Sequence, residues 1–203
     1  MRKTKVNQWR LVHDLQPLNN IVVPEFPIVP DPSLILTNIP PEAKYFSVVD
    51  LKNAFFSVPL HPDSHYLTAF EFRGTQFCYS RLPQGYCESP SVFNRAVKTD
   101  LSNFQCDSTL LQYVDDILIC STTEQQCRKD TIALLVTLAQ RGYKVDKEKL
   151  QYCQEEVHYF GLLLSASGRR VTPDRVETIK LVPEPQTVKE MQKFLGLVNY
   201  VRQ

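Results

Sequence analysis

The sequence has no apolar run able to cross a bilayer. The longest, such as Tyr159 to Leu164, fall well short of the roughly 20 residues that a spanning helix needs. The opening stretch MRKTKVNQWR has no apolar core of the kind found in secretory leaders. No membrane is expected as a partner, and the expected location is intracellular, not secreted. The six cysteines, at 78, 87, 106, 120, 127 and 153, form no CxxC pair and no disulfide-like spacing, so reduced thiols are expected. Charge of one sign is also missing. With 23 basic and 22 acidic residues the net charge is +1, so the surface is not uniformly basic. Local basic patches remain, in MRKTK and in Gly168-Arg169-Arg170, each readable by itself as a solvated face or turn. His61 and His65 stand four apart, but Pro62 follows His61 and disfavours the helical face that a metal pair needs, so both read as surface-loop histidines. There is no internal repeat and no low-complexity tract.

What is present is a soluble globular composition, 43% hydrophobic and 22% charged over 203 residues, enough for one domain or a few lobes sharing a core. The first forty-odd residues are dense in proline (Pro17, Pro24, Pro27, Pro30, Pro32, Pro40, Pro41) and are expected to be extended, with little helix. Tyr45 to Val49 is a β-type run ending at Asp50, and Leu51 to Phe56 allows a short helix before Pro59. Leu67 to Phe72 and Gln76 to Arg81 flank Gly74 as a hairpin, followed by the loop RLPQG at 81–85. Ser89 suits an N-cap and Pro90 a first helical position, for a helix reaching about Leu101. Thr123 with Gln126 forms a capping box before a periodic apolar stripe that ends near Gly142. Val157 to Leu164 and Arg169 to Val171 read as a hairpin across 165–168. Thr187 with Glu190 opens a last helix that runs to Gln203 without a stop signal, as if inside a longer lobe.

One stretch resists a purely structural reading. LLQYVDDILIC, residues 110–120, sets Asp115 and Asp116 in the middle of an apolar run, where an unpaired carboxylate loses several kcal/mol of solvation. A tight turn between two strands accounts for part of this. A cation held at that turn accounts for the rest. Frequent hairpins and irregular alternation imply an α+β fold, an antiparallel sheet with helices on one face. Neighbouring strands lie about 5 Å apart, so Asp50, at the end of its own strand, can meet the Asp115/Asp116 hairpin and share cations with it. Mg²⁺ suits such hard oxygen donors and completes its shell with water and phosphates.

YVDD at 113–116, Asp50 within VVDLKNAFF and the loop LPQGYCESP together resemble the reverse transcriptases of retroviruses, most closely gammaretrovirus-like and endogenous forms. The resemblance runs from RKTKVNQWRLVHDLQPLN through FLGLVNYVRQ, with four motifs in order. It implies a right-hand polymerase: fingers at 1–24 and 61–86, palm at 25–60 and 87–166, and the start of a thumb at 167–203. It implies catalytic carboxylates at Asp50, Asp115 and Asp116, the first two holding metal most directly, with two Mg²⁺ ions or Mn²⁺ in their place. Phe55 matches the aromatic side chain beneath the deoxyribose that excludes a 2′-hydroxyl; the alternative for it is core packing, as for Phe56. Gln84 matches a residue near nucleotide and template, and Tyr113 and Val114 belong to the same substrate-binding set. Lys3 and Arg10 match the basic pair on the triphosphate, chemically apt as point charge and bidentate fork. Phe160 and Gly161 resemble the segment positioning the primer end, and the helix from Val188 resembles the thumb helix along the duplex.

The implied activity is RNA-directed DNA polymerisation, with deoxynucleoside triphosphates and a primed RNA or DNA template as partners. In the family, further fingers, a connection segment and a ribonuclease H domain flank this region, so the resemblance implies a core fragment. Gln16 stands where a basic residue is expected, and Lys5 where glycine is usual. Two other readings compete: an inactive endogenous remnant serving at most as a nucleic-acid-binding module, and an unrelated metal-dependent phosphohydrolase. The latter needs a water-positioning base that the sequence does not offer, and leaves LPQG and Phe55 unexplained.

Overall fold

In the computed structural model, the structure describes residues 13–23 and 32–202. In chain order the elements are α1 (Gln16–Ile21), α2 (Pro32–Thr37), β1 (Tyr45–Asp50), β2 (Phe70–Phe72), β3 (Thr75–Phe77), α3 (Ser89–Asp100), β4 (Thr109–Tyr113), β5 (Asp116–Ser121), α4 (Glu124–Gln140), β6 (Gln151–Gln154), β7 (Glu156–Tyr159), β8 (Leu162–Ser165), β9 (Gly168–Val171), α5 (Pro173–Lys180) and α6 (Val188–Arg202). The central sheet is antiparallel throughout, in the order β4-β5-β1-β6. β2-β3 forms a separate hairpin and β7-β8-β9 a three-stranded sheet.

Strand alternation sorts β1 and β5 into two faces. Val49, Leu51, Ile117 and Ile119 meet Phe93 and Val97 of α3 and Leu134 and Leu138 of α4, the expected helical layer. Phe46, Val48, Leu118 and Cys120 face the other way, onto Val157, Tyr159, Leu162 and Leu164 of the three-stranded sheet and Ile35 and Leu36 of α2. Both central strands are therefore covered on both sides, which is why they read as continuous apolar runs. Ser47 is buried on the helical face, and its hydroxyl accepts from Thr131 Oγ1 at 2.8 Å and from the amide of Cys153 at 2.9 Å. The β1–β6 register shifts at that point, between Phe46 and Val48.

Several expectations need correction. The proline-dense N-terminal region is not simply extended, because α1 and α2 are helical. Pro17 lies in the first turn of α1 and Pro32 opens α2, positions where a missing N–H costs nothing. The helix allowed at 51–56 is a single 3₁₀ turn, Ala54–Ser57, entered through Asn53 at φ 54°. Leu67 and Thr68 close another 3₁₀ segment, Pro62–Thr68, so β2 starts only at Phe70. The N-cap of α3 is Glu88; Ser89 lies inside the helix, where its hydroxyl donates to Pro83 O at 2.7 Å. The run 157–164 is itself a hairpin, broken at Phe160 and Gly161. β6 and α5 were not anticipated.

Thr123 caps α4 as expected, accepting from Gln126 N at 3.3 Å, but the Gln126 amide turns to Asp130 at 2.8 Å instead of back to the cap. At α6 the box is reciprocal, Thr187 and Glu190 each accepting from the other's backbone N–H at 3.2 Å. Asp130 also accepts from Ser108 N at 2.9 Å and Ser108 Oγ at 2.5 Å, joining α4 to the start of β4. Burial opposes its charge, but these hydrogen bonds outweigh it and hold the carboxyl below its ordinary value. Asp130→Ala should leave the buried Ser108 N–H unpaired, while the Ser108 hydroxyl keeps Ser121 Oγ at 2.6 Å, and lower stability by about 1–3 kcal/mol. Urea unfolding of parent and variant measures this, and a loss under about 0.5 kcal/mol would reject the network as a support of the fold.

Candidate active site

β1 and β5 pair in a register that ends with Asp50 opposite Asp116. β4 and β5 end with Tyr113 opposite Asp116, leaving Val114 and Asp115 as a two-residue turn. Such turns call for positive φ at the first central residue, and Val114 has φ 49°, strained for a β-branched side chain. The main chain clasps the turn from the far side, where Leu51 N donates to Asp115 O at 2.8 Å. Asp146 N donates to Asp50 O at 2.9 Å, and Leu51 bridges to Val145, so the segment leaving β1 is held on both edges.

Three carboxylates thus stand at neighbouring positions at one end of the sheet, and the electrostatics follow. Burial pushes Asp116 up to about 6, and the charges of Asp115 and Asp50 add to this. Asp115 is raised as well, chiefly by burial and also by Asp50. Lys149 opposes both shifts; its ammonium sits 2.8 Å from Asp50 Oδ2, and that hydrogen bond raises its own pKa. Sequence reading missed Lys149, which stands in the run DKEK and looks like a solvated face. The turn after Asp146, with Lys149 N and Leu150 N both donating to Asp146 O, brings it over. Among the described residues no three His, Cys, Asp or Glu side chains form a metal-holding group. The expected convergence on shared cations therefore stops at neighbouring positions, with Asp50 drawn to the lysine.

Tyr159 is 2% exposed, and its hydroxyl has no hydrogen-bond partner among the described residues. Burial and the charge of Asp116 push its pKa up. Beside it Phe160 (φ 50°) and Gly161 (φ 70°) form the β7–β8 turn, and the Phe160 ring packs edge-on against Tyr113 at 4.8 Å between centroids. The segment expected to position a primer is thereby joined to the turn carrying Asp115.

Phe55 is half-buried in the 3₁₀ turn after β1, edge-on to Phe93 at 5.7 Å. Phe56 is not core: it is 37% exposed and stacks on Tyr79 at 6.2 Å. Gln84 is half-buried in a loop whose Gly85 has φ 96°. Asn19 of α1 clamps that loop, donating to Gly85 O and accepting from Cys87 N, both at 2.9 Å. No signal in the sequence pairs positions 66 and 68 residues apart. Lys3 and Arg10 lie outside the described residues.

The profile described as "Reverse transcriptase (RNA-dependent DNA polymerase)" matches residues 1–164. The chain belongs to the reverse transcriptase family. It is 44% identical to the Gag-Pol polyprotein of walleye dermal sarcoma virus and 40% identical to that of avian reticuloendotheliosis virus, in each case over 100% of this chain. It spans only 12% and 18% of those polyproteins. Among solved structures, the foamy viral protease-reverse transcriptase in complex with double-stranded DNA matches with a TM-score of 0.85 and 35% identity, over 96% of this chain and 34% of that one. The same foamy viral protein with an RNA/DNA hybrid matches with a TM-score of 0.83 and 33% identity, over 97% of this chain and 27% of that one. The α+β fold is thus that of the reverse transcriptase family, with Asp50 and Asp116 at strand ends and Asp115 in the turn between β4 and β5.

The raised Asp116 pKa has a consequence for stability. The folded carboxyl titrates near 6 and the unfolded one near about 3.9, so the folded state holds the proton longer. Its contribution is complete below about pH 4 and is lost as pH rises through about 6. Asp116→Asn in metal-free buffer should flatten that descent and add on the order of 2 kcal/mol at pH 7. Urea unfolding at pH 4, 5, 6 and 7 tests this; the same descent in the variant would remove Asp116 as its source.

Proposed function

We propose that this chain is the polymerase core of an RNA-directed DNA polymerase, adding deoxynucleoside triphosphates to a primer 3′-hydroxyl on an RNA or DNA template. One observation carries the reading: Asp50 pairs with Asp116 across β1–β5, with Asp115 in the adjoining turn. Like charges placed together at a covered strand end are costly unless a cation is used there. The donors are hard oxygens, Asp115 and Asp116 hold their protons more strongly than ordinary carboxylates, and the balancing group on Asp50 is an ammonium, so the donor chemistry, rather than a preformed cage, suits divalent cations. Asp50, Asp115 and Asp116 would hold two Mg²⁺ ions, with Mn²⁺ able to substitute. When bound, such ions lower the pKa of the attacking hydroxyl and neutralise charge on the departing pyrophosphate.

The chain's own residues do the positioning. Phe55 would lie beneath the sugar, its ring steadied by Phe93. Gln84, on a loop pinned by Asn19 and Ser89, would meet the nucleotide and template, with Tyr113 and Val114 beside it. Phe160 and Gly161 would place the primer end, and Lys3 and Arg10 would take the triphosphate. In this reading 1–24 and 61–86 are fingers, 25–60 and 87–166 palm, and 167–203 the start of the thumb. A nucleic-acid partner is in keeping with the complexes named for the foamy viral neighbours. No helix of the described residues is long and apolar enough to cross a membrane, and we place the activity inside the cell or particle.

Primer extension by the purified protein, with Mg²⁺ and a primed RNA template, is the direct test. Asp115→Asn keeps the side-chain shape and removes the charge, so extension should fall at least about 100-fold while the metal-free melting temperature stays level or rises. Equal extension by parent and variant would reject the assignment, and an unfolded variant would make Asp115 a structural turn residue. Phe55→Val should admit ribonucleotides with a smaller effect on deoxynucleotides. Competition between the two nucleotide classes measures this, and unchanged discrimination would return Phe55 to core packing against Phe93.

A further inference from the structure

The β7–β8 turn is held from outside its own hairpin. Its ladder closes at Tyr159 opposite Leu162, which leaves Phe160 and Gly161 beyond the last pair. Leu162 also pairs with Val171, the last residue of β9, so the chain leaves that sheet beside the turn. Thr172 and Pro173 then start α5, and the amide of Arg175 donates to Thr172 O at 3.0 Å within its first turn. From there the half-buried Arg175 side chain reaches back, and its Nη1 donates to Phe160 O at 3.3 Å. The guanidinium rests where Gly161 has no side chain. A Cβ at Gly161 would stand 3.2 Å from Arg175 Cζ and collide with Nη1.

Gly161 therefore serves two ends. Its φ of 70° permits the turn, and its missing Cβ leaves a seat for the guanidinium. The contact passes inward through one ring. Phe160 packs on Tyr113 at 4.8 Å and on Tyr159 at 4.0 Å, and Tyr113 closes the ladder beside Val114 and Asp115. We infer that Arg175 is a positioning residue: from the first turn of α5 it latches the Phe160–Gly161 turn against Tyr113 and thereby sets the primer end relative to the carboxylate turn. The inference rests on the function proposed above and adds a residue that no motif in the sequence marks. Arginine suits the task, because a planar fork can lie over a glycine and still donate to a carbonyl, whereas lysine offers a single flexible point charge.

The test uses Arg175→Met, which keeps bulk and removes the donor, and Arg175→Lys, which keeps charge and loses the fork. Hydrogen exchange read by peptide needs no activity. In the methionine variant, peptides covering 159–162 and 113–116 should exchange about tenfold faster, while α3 and α4 stay as in the parent; lysine should fall between. In primer extension the methionine variant should lose about tenfold or more in kcat with the KM for the nucleotide unchanged, since a misplaced primer end slows chemistry without touching the nucleotide site. Exchange unchanged at both turns would overturn the latch. Faster exchange with unchanged kcat would leave Arg175 a brace of the hairpin and equally overturn the positioning role. A parent that extends no primer would instead refute the proposed function, and the 113–116 peptide alone would then decide whether the latch reaches the carboxylate turn.

Discussion

The pairing of Asp50 with Asp116 is the constraint on which the rest of the structure depends. Two carboxylates directly opposed in an antiparallel ladder, with a third in the adjoining turn, repel one another in a partly buried setting. The sheet tolerates this because everything behind it is strongly held. β1 and β5 are paired on both edges and covered on both faces, so local repulsion at one end cannot separate them. What remains adjustable is protonation and the choice of counter-charge. Asp116 keeps its proton longer, and Lys149 takes Asp50. The ion pair is partly exposed, Lys149 at 62%, so it balances charge more than it adds stability.

The surroundings of that pair are built from turns with positive φ. Val114 carries the carboxylate turn, Phe160 and Gly161 the facing hairpin, and Arg73 and Gly74 the outlying β2–β3 hairpin. Tight two-residue turns of this kind match the twist of the strands they join, which makes them rigid. Glycine takes the cost lightly; valine and phenylalanine do not, and the strain persists because both turns are locked by contacts outside themselves. Leu51 N donates to the Asp115 carbonyl, and Arg175 donates to the Phe160 carbonyl. The loop of Gln84 follows the same rule, being fixed by Asn19 from a distant helix and by Ser89 from within α3. Each site segment is thus irregular in itself and regular in its anchorage.

The pattern of what could and could not be read from the sequence has physical causes. Capping boxes are local, and Thr123 and Thr187 both cap their helices, because the bonded groups lie within one turn of chain. Strands β1 and β5 were readable from apolar runs, and the carboxylate turn from two aspartates interrupting one. Proline misled in α1 and α2, since the residue that breaks a helix inside is acceptable at its start. Ser89 has the chemistry of an N-cap, but Pro83 O lies within its reach in the folded chain and takes its hydroxyl. Phe55 and Phe56 are adjacent and chemically identical, and only their opposite directions from a 3₁₀ turn made one a partner of Phe93 and the other of Tyr79.

The family was legible in the motifs YVDD, VVDLKNAFF and LPQG through their resemblance to reverse transcriptases, and the α+β class in local periodicity; that Asp115 and Asp116 form a turn was legible because two carboxylates interrupting an apolar run have few explanations. The tertiary structure alone decided which charge answers Asp50, which side chains hold the Gln84 loop, and how Phe160 meets Tyr113. Those contacts join residues 99, 66 and 68 positions apart, or pair a ring with a ring across two sheets. Lysine, asparagine and arginine at such positions look like ordinary surface residues in the one-dimensional chain. Their roles arise when strand register and helix packing bring a distant backbone carbonyl or carboxylate within hydrogen-bonding reach.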